Sequence, residues 1–296
     1  MTSPALSIII PTRLRPSTLE RCLNELATQK VELTDFPIEI IVSEDSDENE
    51  SEEVVARHPD ARLTSGPCKG PAANRNHAAK KATGKWLLFL DDDVLPQPGF
   101  LQAHVDAMRA GNADVLEGRM ICSDERNSPF YRMAENRTGG NLFTANLGIR
   151  RKTFEELDGF DEELIIMEDL EFAHRLRTTD KRIAFLKEAT VDHPAQRFGW
   201  SYVWRWIFHF RWGLLLGYKT GKADPHRSLL ACLFSVTFNH LLLMIRKTVH
   251  LLTQHNPKSW ANAWFWQIWG WLTLPLSLPN LWYWEMRYRR EFRNRP

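Results

Sequence analysis

The stretch Trp86-Leu87-Leu88-Phe89-Leu90-Asp91-Asp92-Asp93 decides the fold, because an apolar run ends abruptly in three carboxylates. Five consecutive apolar residues are typical of a strand that is buried on both faces of a mostly parallel sheet. Such sheets bind ligands beyond the carboxyl ends of their strands, where these three aspartates would lie. A divalent cation such as Mg²⁺ or Mn²⁺ prefers carboxylate oxygens and offsets their mutual repulsion. The stretch therefore predicts a metal site at the sheet edge; the alternative is a solvated acidic turn leading into residues 94–99.

Strand and helix patterns alternate around this stretch. Before it, strands are predicted over 6–11, 38–42 and 61–64, helices over 17–29 and 52–57, and a loop leading into a helix over 70–83. After it, strands are predicted over 114–121, 141–149, 183–185 and 190–193, and a helix over 168–178. This alternation predicts right-handed βαβ units in an α/β fold with a doubly wound, mostly parallel sheet. Ser17 is expected to cap the first helix, with Glu20 at the capping-box spacing.

Composition limits the classes of partner. The chain of 296 residues carries 38 Lys and Arg against 37 Asp and Glu, so no overall field favours nucleic acid. Cys22, Cys68, Cys122 and Cys232 show neither a CxxC pair nor zinc spacing, which is typical of reduced thiols facing the cytosol. Strand-like sequence begins by Leu6 without a basic and apolar leader, which argues against a secretory signal. We therefore expect a cytosol-facing protein with no nucleic-acid partner.

The composition changes after residue 199. Eleven of the twelve tryptophans follow it, and the last twelve residues include five arginines. Two stretches without a formal charge, 229–245 and 260–284, are near the length needed to enter or span a bilayer. Tryptophan belts and arginine-rich ends are typical of membrane interfaces and anionic headgroups. We therefore predict an α/β domain over 1–198 and a helical, membrane-associated region over 199–296 on the cytoplasmic face of a membrane. The alternative is a tryptophan-rich packing subdomain or an oligomer interface.

Seven short motifs occur in a fixed order along the α/β domain. They are Pro11-Thr12-Arg13, Ser43-Glu44-Asp45-Ser46, Gly70-Pro71-Ala72-Ala73-Asn74-Arg75-Asn76, Asp91-Asp92-Asp93, Thr144-Ala145-Asn146, Gly159-Phe160-Asp161-Glu162 and Glu168-Asp169-Leu170-Glu171. Any one motif is weakly specific, but the ordered set closely resembles the family 2 glycosyltransferases. The resemblance implies a GT-A fold and an inverting transferase whose donor is a nucleotide diphosphate sugar, foremost a UDP-sugar.

The resemblance also implies the residues of the donor site. Glu44 stands where the family usually has an Asp that contacts the base, and the usual glycine of that motif is absent. Arg75 and Asn76 match an Arg-Asn pair near the diphosphate. The nucleotide-sugar site implied in this way comprises Pro11, Thr12, Arg13, Glu44, Asp45, Arg75, Asn76, Asp91 and Asp92.

The same resemblance implies a metal site. Asp91 and Asp93 match the two acidic positions of the DxD motif. Asp93 is expected to bind Mn²⁺ or Mg²⁺ directly, while Asp91 faces the ribose or metal-bound water. His193, at a predicted strand end, matches a further metal or diphosphate contact; its alternative is a polar strand-end residue.

Asp169 is the expected general base. Inversion requires a base on the face of the sugar opposite the leaving nucleotide, where it takes the proton of the acceptor hydroxyl. The resemblance assigns this role to Asp169, and the adjacent Glu168 is expected to raise the pKa of its carboxyl. The alternative is an acidic first turn that favours the helix dipole. Arg197 and Phe198 are expected to close over the diphosphate.

Two other function classes remain open from the sequence. In a haloacid-dehalogenase-like phosphatase the first Asp of a strand-end DxD is a nucleophile, but three strands precede the motif here, whereas those enzymes normally carry it near the N-terminus. A non-catalytic membrane scaffold would leave the carboxylates at 91–93 and 168–169 without a joint purpose. For a transferase, the tryptophan-rich region favours a lipid-linked or polysaccharide acceptor and membrane lipids as partners.

Overall fold

The computed structural model describes residues 4–48, 50–124, 131–132, 134–197, 199–253 and 257–294. It contains two compact units. The first, here called the sheet unit, consists of Met1–Ser123 and Met133–Pro194; the second, the helical unit, consists of Asp124–Arg132 and Ala195–Pro296. Residue 198, at the domain boundary predicted from the sequence, lies outside the described residues.

The sheet unit is built on one sheet of eight strands. In chain order these are β1 (Leu6–Thr12), β2 (Ile38–Glu44), β3 (Ala61–Ser65), β4 (Trp86–Leu90), β5 (Leu95–Pro96), β6 (Val115–Ile121), β8 (Asn146–Arg150) and β9 (Ile183–Asp192), while β7 (Tyr131–Arg132) lies outside it. The order across the sheet is β3-β2-β1-β4-β8-β6-β9-β5. Only β8 and β5 run against the other six strands, so the expected mostly parallel sheet is confirmed.

Helices cover both faces of this sheet. They are α1 (Pro16–Lys30), α2 (Glu52–Ala56), α3 (Pro71–Lys81), α4 (Phe100–Ala110), α5 (Arg151–Glu156) and α6 (Glu168–Arg177). All five residues of β4 are buried, with Leu88 and Leu90 in the cluster that includes α1 and α4. Leu87 and Phe89 belong to the opposite cluster, which includes α3, α5 and α6. This two-sided burial explains the uninterrupted apolar run.

Three of the differences from the sequence-based expectation concern a helix cap, a strand start and the number of strands. The first helix begins at Pro16 after Arg15, without a side-chain cap, so the predicted Ser17 cap is wrong; proline with its fixed φ favours the first helical position. Strand β8 begins at Asn146 rather than at 141, because the backbone at Leu142 is left-handed. Strand β9 runs without a break from Ile183 to Asp192, where two short strands were predicted.

The helical unit contains three long helices, α7 (Trp200–Lys219), α8 (Leu229–Thr253) and α9 (Pro257–Arg293). Helices α8 and α9 are antiparallel: Trp282 donates to Thr237 Oγ1 over 2.9 Å, and Gln267 donates to the Met244 carbonyl over 2.7 Å. A two-residue ladder joins β7 to β10 (Gln196–Arg197). Among the described residues, one helix segment is long and apolar enough to cross a membrane, Leu229–Arg246, with a mean hydropathy of 1.7. The second predicted segment, 260–284, does not reach this level.

Candidate functional site

Three side chains that could hold a metal ion converge at the carboxyl edge of the sheet. Asp91 and Asp93 follow β4, and His193 follows β9; one ligand atom from each lies within 4.8 Å of the others. His193 is held there because its backbone N–H donates to the Ile121 carbonyl over 2.8 Å. Its Nε2 lies 3.7 Å from Asp93 Oδ1. The topology thus brings His193 to two aspartates that lie about a hundred positions earlier in the sequence.

The donor set fits a divalent cation. Two carboxylates supply hard oxygen ligands, and an imidazole supplies one nitrogen. Mg²⁺ favours all-oxygen octahedra, whereas Mn²⁺ and the later divalent ions accept imidazole more readily. The three donors leave room in an octahedron for water or for diphosphate oxygens.

Arg15 is a residue of this site that the sequence reasoning missed. Its Nη1 donates to Asp93 Oδ2 over 2.8 Å and lies 3.4 Å from Asp92 Oδ1. The two oxygens of Asp93 therefore face different partners, Oδ2 toward Arg15 and Oδ1 toward His193. The signal that could have found Arg15 is its place in the loop after β1, the strand that neighbours β4 in the sheet.

Asp92 does not share the exposure of its two neighbours. Its side chain is almost fully buried, and Thr12 donates to its Oδ2 over 2.6 Å. Burial raises the pKa of the Asp92 carboxyl to about 7 against the opposing charge of Arg15. Thr12 and Asp92 join the ends of β1 and β4 in this structure, and their contact with the nucleotide sugar stays a prediction.

Glu44 and Asp45, at the end of β2, accept hydrogen bonds from neighbouring loops. Glu44 is fully buried; its oxygens accept from the Leu14 backbone over 3.2 Å and from the hydroxyls of Ser46 and Ser51. Asp45 accepts from the backbone N–H groups at Cys68 and Gly70, over 2.7 and 3.0 Å. Contact of Glu44 with a base remains a prediction, but these internal partners take both of its oxygens. By contrast, Arg13 is exposed and Pro11 partly exposed at the same edge.

Arg75 connects the two acidic groups of the site. Its Nη2 donates to Asp91 Oδ1 and its Nη1 donates to Glu168 Oε1, both over 2.7 Å. The guanidinium is buried, and Arg75 lies on α3, directly before Asn76. Arg75 thus bridges Asp91 and Glu168 in this structure, and its contact with a diphosphate stays a prediction.

Asn76 shapes a turn. Its amide Nδ2 donates to the Phe160 carbonyl over 2.8 Å, and its Oδ1 accepts from the Phe160 backbone N–H over 2.9 Å. Gly159 adopts a left-handed φ of 66°, and a Cβ there would approach Asn76 Oδ1 to 2.6 Å. This pairing explains why the Arg-Asn motif and the Gly159-Phe160-Asp161-Glu162 motif occur together in one chain.

Glu168 and Asp169 begin α6, directly after a strained residue. Met167 has a left-handed φ of 69°, which is unfavourable for a side chain with a Cβ and recurs at functional sites. Asp169 is half-buried, and its Oδ1 accepts from the Leu170 backbone N–H over 2.8 Å. Burial, more than any neighbouring charge, raises the pKa of Asp169, and burial also raises the pKa of Glu168. The expected rise in the pKa of Asp169 is therefore present, with desolvation as its main cause.

Glu171 takes no part in this cluster of contacts. Glu171 is buried in a two-pronged ion pair with Arg175, both N···O distances being 2.7 Å. Arg175 also donates to the Gly159 carbonyl over 2.7 Å, so this pair supports the turn that Asn76 holds. Arg197 is exposed in β10, and Phe198, its predicted partner over the diphosphate, lies outside the described residues.

Known proteins provide an independent comparison. Glycosyltransferase AglE of Haloferax volcanii is 24% identical over 213 residues, which are 67% of this chain and 69% of AglE. The Campylobacter jejuni GalNAc(5)-diNAcBac-PP-undecaprenol beta-1,3-glucosyltransferase is 32% identical over 125 residues, but they are 40% of this chain and 39% of that protein. The chain therefore spans well under half of this second relative.

Two solved structures share the fold along nearly the whole chain. S. aureus TarS 1–349 in complex with UDP-GlcNAc has a TM-score of 0.57 at 19% identity, covering 97% of this chain and 92% of TarS 1–349. The mannosyltransferase PcManGT of Pyrobaculum calidifontis, in complex with GDP-Man and Mn²⁺, also has a TM-score of 0.57, at 17% identity, covering 97% and 86%. At such identities the likeness shows the fold, which is GT-A. The family model for glycosyl transferase family 2 matches residues 7–166, which contain β1 to β8 and the DxD aspartates. Since that match extends over more than half of the chain, this chain belongs to glycosyl transferase family 2.

Proposed function

We propose that this protein is an inverting glycosyltransferase that moves a sugar from a UDP-sugar to a hydroxyl of a lipid-linked or saccharide acceptor. The observation that carries the proposal is the convergence of Asp91, Asp93 and His193 beside the Arg75–Glu168 bridge. Family membership favours a transferase over the phosphatase and the scaffold that the sequence left open. The domain assignment belongs to the same proposal, with catalysis in residues 1–198.

Asp91, Asp93 and His193 would hold the divalent cation, and the imidazole favours Mn²⁺ over Mg²⁺. When bound, the cation neutralises charge that develops on the leaving diphosphate. Arg13 and Pro11 are exposed at the same edge, where they can contact the nucleotide.

Asp169 would act as the base. Its half-buried carboxyl begins α6, and Arg75, the residue that reaches Asp91, exerts a favourable charge on its ionised form. A carboxyl with a raised pKa is a stronger proton acceptor than an ordinary aspartate, provided that the pH keeps it ionised. Glu168, bound to Arg75, would position the first turn of α6 rather than take the proton.

The nucleotide and the acceptor are inferred from relatives. The TarS structure contains UDP-GlcNAc and PcManGT contains GDP-Man, so the fold accommodates both nucleotides. The C. jejuni relative is named for an undecaprenol diphosphate-linked acceptor. We favour UDP as the nucleotide and a lipid-linked acceptor. The apolar segment Leu229–Arg246 is consistent with sugar transfer at the cytoplasmic face of a membrane.

A thermal-shift panel tests the donor assignment. UDP, GDP and CDP, each with and without Mn²⁺, are compared for their effect on the melting temperature of the full chain. A ligand at a hundred times its Kd stabilises the native state by about 2.7 kcal/mol, which corresponds to a rise of roughly 5 °C or more. We expect the largest rise with UDP plus Mn²⁺, and Asp93→Ala should remove its metal dependence. Equal stabilisation of the native protein with and without metal would contradict the assignment.

A further inference from the structure

Helices α8 and α9 expose a continuous apolar surface. On α8, Leu230, Phe234, Phe238, Ile245 and Val249 recur at intervals of four, four, seven and four residues and therefore share one face. Leu230 is 80% exposed and Phe234 is 71% exposed. Only 12% of the apolar segment Leu229–Arg246 is buried, whereas the core helix of a water-soluble bundle is mostly buried.

Helix α9 repeats this pattern. Its exposed apolar residues include Ile268, Leu272, Leu276, Tyr283 and Met286, at intervals of four, four, seven and three. Leu272 is 69% exposed. Two antiparallel helices thus both present bulky apolar side chains outward.

Four polar side chains of α9 point inward instead. Gln267, Thr273, Ser277 and Glu285 are all buried, and Ser277 is 1% exposed. Gln267 donates to Thr248 Oγ1 over 2.6 Å, across to α8. Tyr218 of α7 donates to Glu285 Oε1 over 2.6 Å.

A small residue lies at the seam between the helices. A Cβ on Gly270 would approach Met244 Cε to 2.6 Å, so the glycine leaves room for the Met244 side chain of α8. Small residues and interhelical hydrogen bonds at the seam, with bulky apolar residues outside, are typical of helices packed in lipid. In water the polarity is reversed, with apolar side chains inside.

We propose that the outward faces of α8 and α9 contact the acyl chains of a lipid bilayer, while their polar seam stays between the helices. Here this pair is called the inverted hairpin. The charges at its ends favour lipid over a second protein copy as the occupant. Arg246 ends the apolar segment of α8. Near the end of α9 lie Arg287, Arg289, Arg290 and Arg293, where they match anionic headgroups. The inference does not rest on the proposed sugar transfer.

Vesicle flotation of the full chain tests this surface. The probes are vesicles of phosphatidylcholine alone and of phosphatidylcholine with phosphatidylglycerol. The wild type should float with both, and at about 1 M salt as well, where a Debye length of about 3 Å removes attraction by headgroup charge. The double variant Phe234→Lys with Leu272→Lys should lower vesicle partitioning at least tenfold, because a lysine is strongly disfavoured among acyl chains.

The matched control is Val31→Lys, since Val31 is 74% exposed and belongs to the sheet unit, far in sequence from the inverted hairpin. Val31→Lys should float like the wild type. A circular-dichroism spectrum and a melting temperature like those of the wild type show that the double variant is folded. Equal flotation of the double variant and the wild type would overturn the proposal. So would loss of wild-type flotation at high salt, or a detergent-free dimer that these two lysines dissociate, because a second copy would then cover the surface.

Discussion

Asp169 is the residue whose chemistry most depends on its surroundings. Replacing it with asparagine keeps the size and the hydrogen bond to the Leu170 N–H but removes the proton acceptor. Since general-base catalysis contributes about 10²–10⁴-fold, Asp169→Asn should lower the transfer rate by at least 10²-fold. The affinity for UDP and Mn²⁺ should stay near that of the wild type. The measurements are the rate of sugar transfer and calorimetry of nucleotide binding.

The control for Asp169 must be chosen from the structure. Glu171, two residues further along α6, is a poor choice because its buried ion pair with Arg175 supports the Gly159 turn. Asp180 is exposed beyond the end of the same helix, so Asp180→Asn should leave transfer unchanged. Transfer by Asp169→Asn at the rate of Asp180→Asn would remove Asp169 from the mechanism, and so would a loss explained by weaker donor binding alone.

Arg15 tests how the metal site is ordered. Because Arg15 holds Asp93 Oδ2, the other oxygen is directed toward His193. Arg15→Ala should free this carboxylate to rotate and weaken Mn²⁺ binding in the presence of UDP by about 10–100-fold, the usual effect of removing a partner of a metal ligand. Arg15→Lys should restore part of the affinity. Electron paramagnetic resonance of free Mn²⁺ measures this Mn²⁺ affinity directly.

The sign of this effect discriminates between two roles. If Arg15 mainly competes with the cation for Asp93, its removal will increase Mn²⁺ affinity instead. Arg109→Ala is the matched control, because Arg109 pairs with Asp35 at the surface and should not alter metal binding.

The positions of site residues were predictable where they follow directly from the end of a strand. They were less predictable where a hydrogen bond to a residue distant in the sequence determines them. The run 86–93 was sufficient to place Asp91 and Asp93 at the sheet edge, since strand direction determines which end of a parallel sheet they occupy. The inward turn of Asp92 depends on Thr12, eighty residues earlier, and the bridge formed by Arg75 depends on Glu168. Such long-range pairings leave no periodic signal in the sequence.

At the scale of the elements, α4 and β8 meet through a buried histidine. His104 is fully buried; one ring nitrogen, Nε2, lies 2.9 Å from Asn146 Oδ1, while Nδ1 is buried without a hydrogen-bond partner in the described part of the chain. Burial therefore lowers the pKa of His104 to about 4. The folded protein keeps this imidazole neutral, whereas the unfolded chain takes up a proton below about pH 6.5.

This difference predicts how stability depends on pH. Because the pKa of His104 is lowered in the folded protein, its contribution to the free energy of unfolding is complete above pH 6.5. This contribution is lost as the pH falls toward 4. At about 1.4 kcal/mol per pH unit, lowering the pH from 6.5 to 5 should reduce the free energy of unfolding by about 2 kcal/mol. Urea unfolding at several pH values measures the slope.

Two variants isolate the contribution of His104. His104→Gln should flatten the slope between pH 6.5 and 5, since an amide does not titrate. His226→Gln, at an exposed histidine, should keep the wild-type slope. Parallel curves for wild type and His104→Gln would show that other groups set the acid limit.

The elements themselves were mostly predictable, because each buries a recognisable apolar face. The exceptions have local causes. Glu117 of β6 accepts from the backbone N–H groups of Gly140, Asn141 and Leu142, over 2.6 to 2.7 Å. This buried carboxylate curls residues 140–142 into a loop, although their sequence continues into an apolar strand pattern. A single distant acid thus shortened the predicted strand at 141–149 to Asn146–Arg150.

At the scale of the whole molecule, the sequence predicted one change of composition near residue 199, and the structure divides the chain differently. The helical unit also includes Asp124–Arg132, and the ladder between β7 and β10 pairs residues 131–132 with 196–197. Composition could not reveal this, because the segment is too short to carry a distinctive apolar pattern.

The ladder between β7 and β10 has a consequence for synthesis and for inheritance. Residues 131–132 leave the ribosome before all of Met133–Pro194, so their ladder with residues 196–197 can form only after the sheet unit has been completely translated. The two units therefore mature in an obligatory order. A recombination event at a single point cannot transfer either unit intact to another gene, so they are expected to have evolved together as one inherited block.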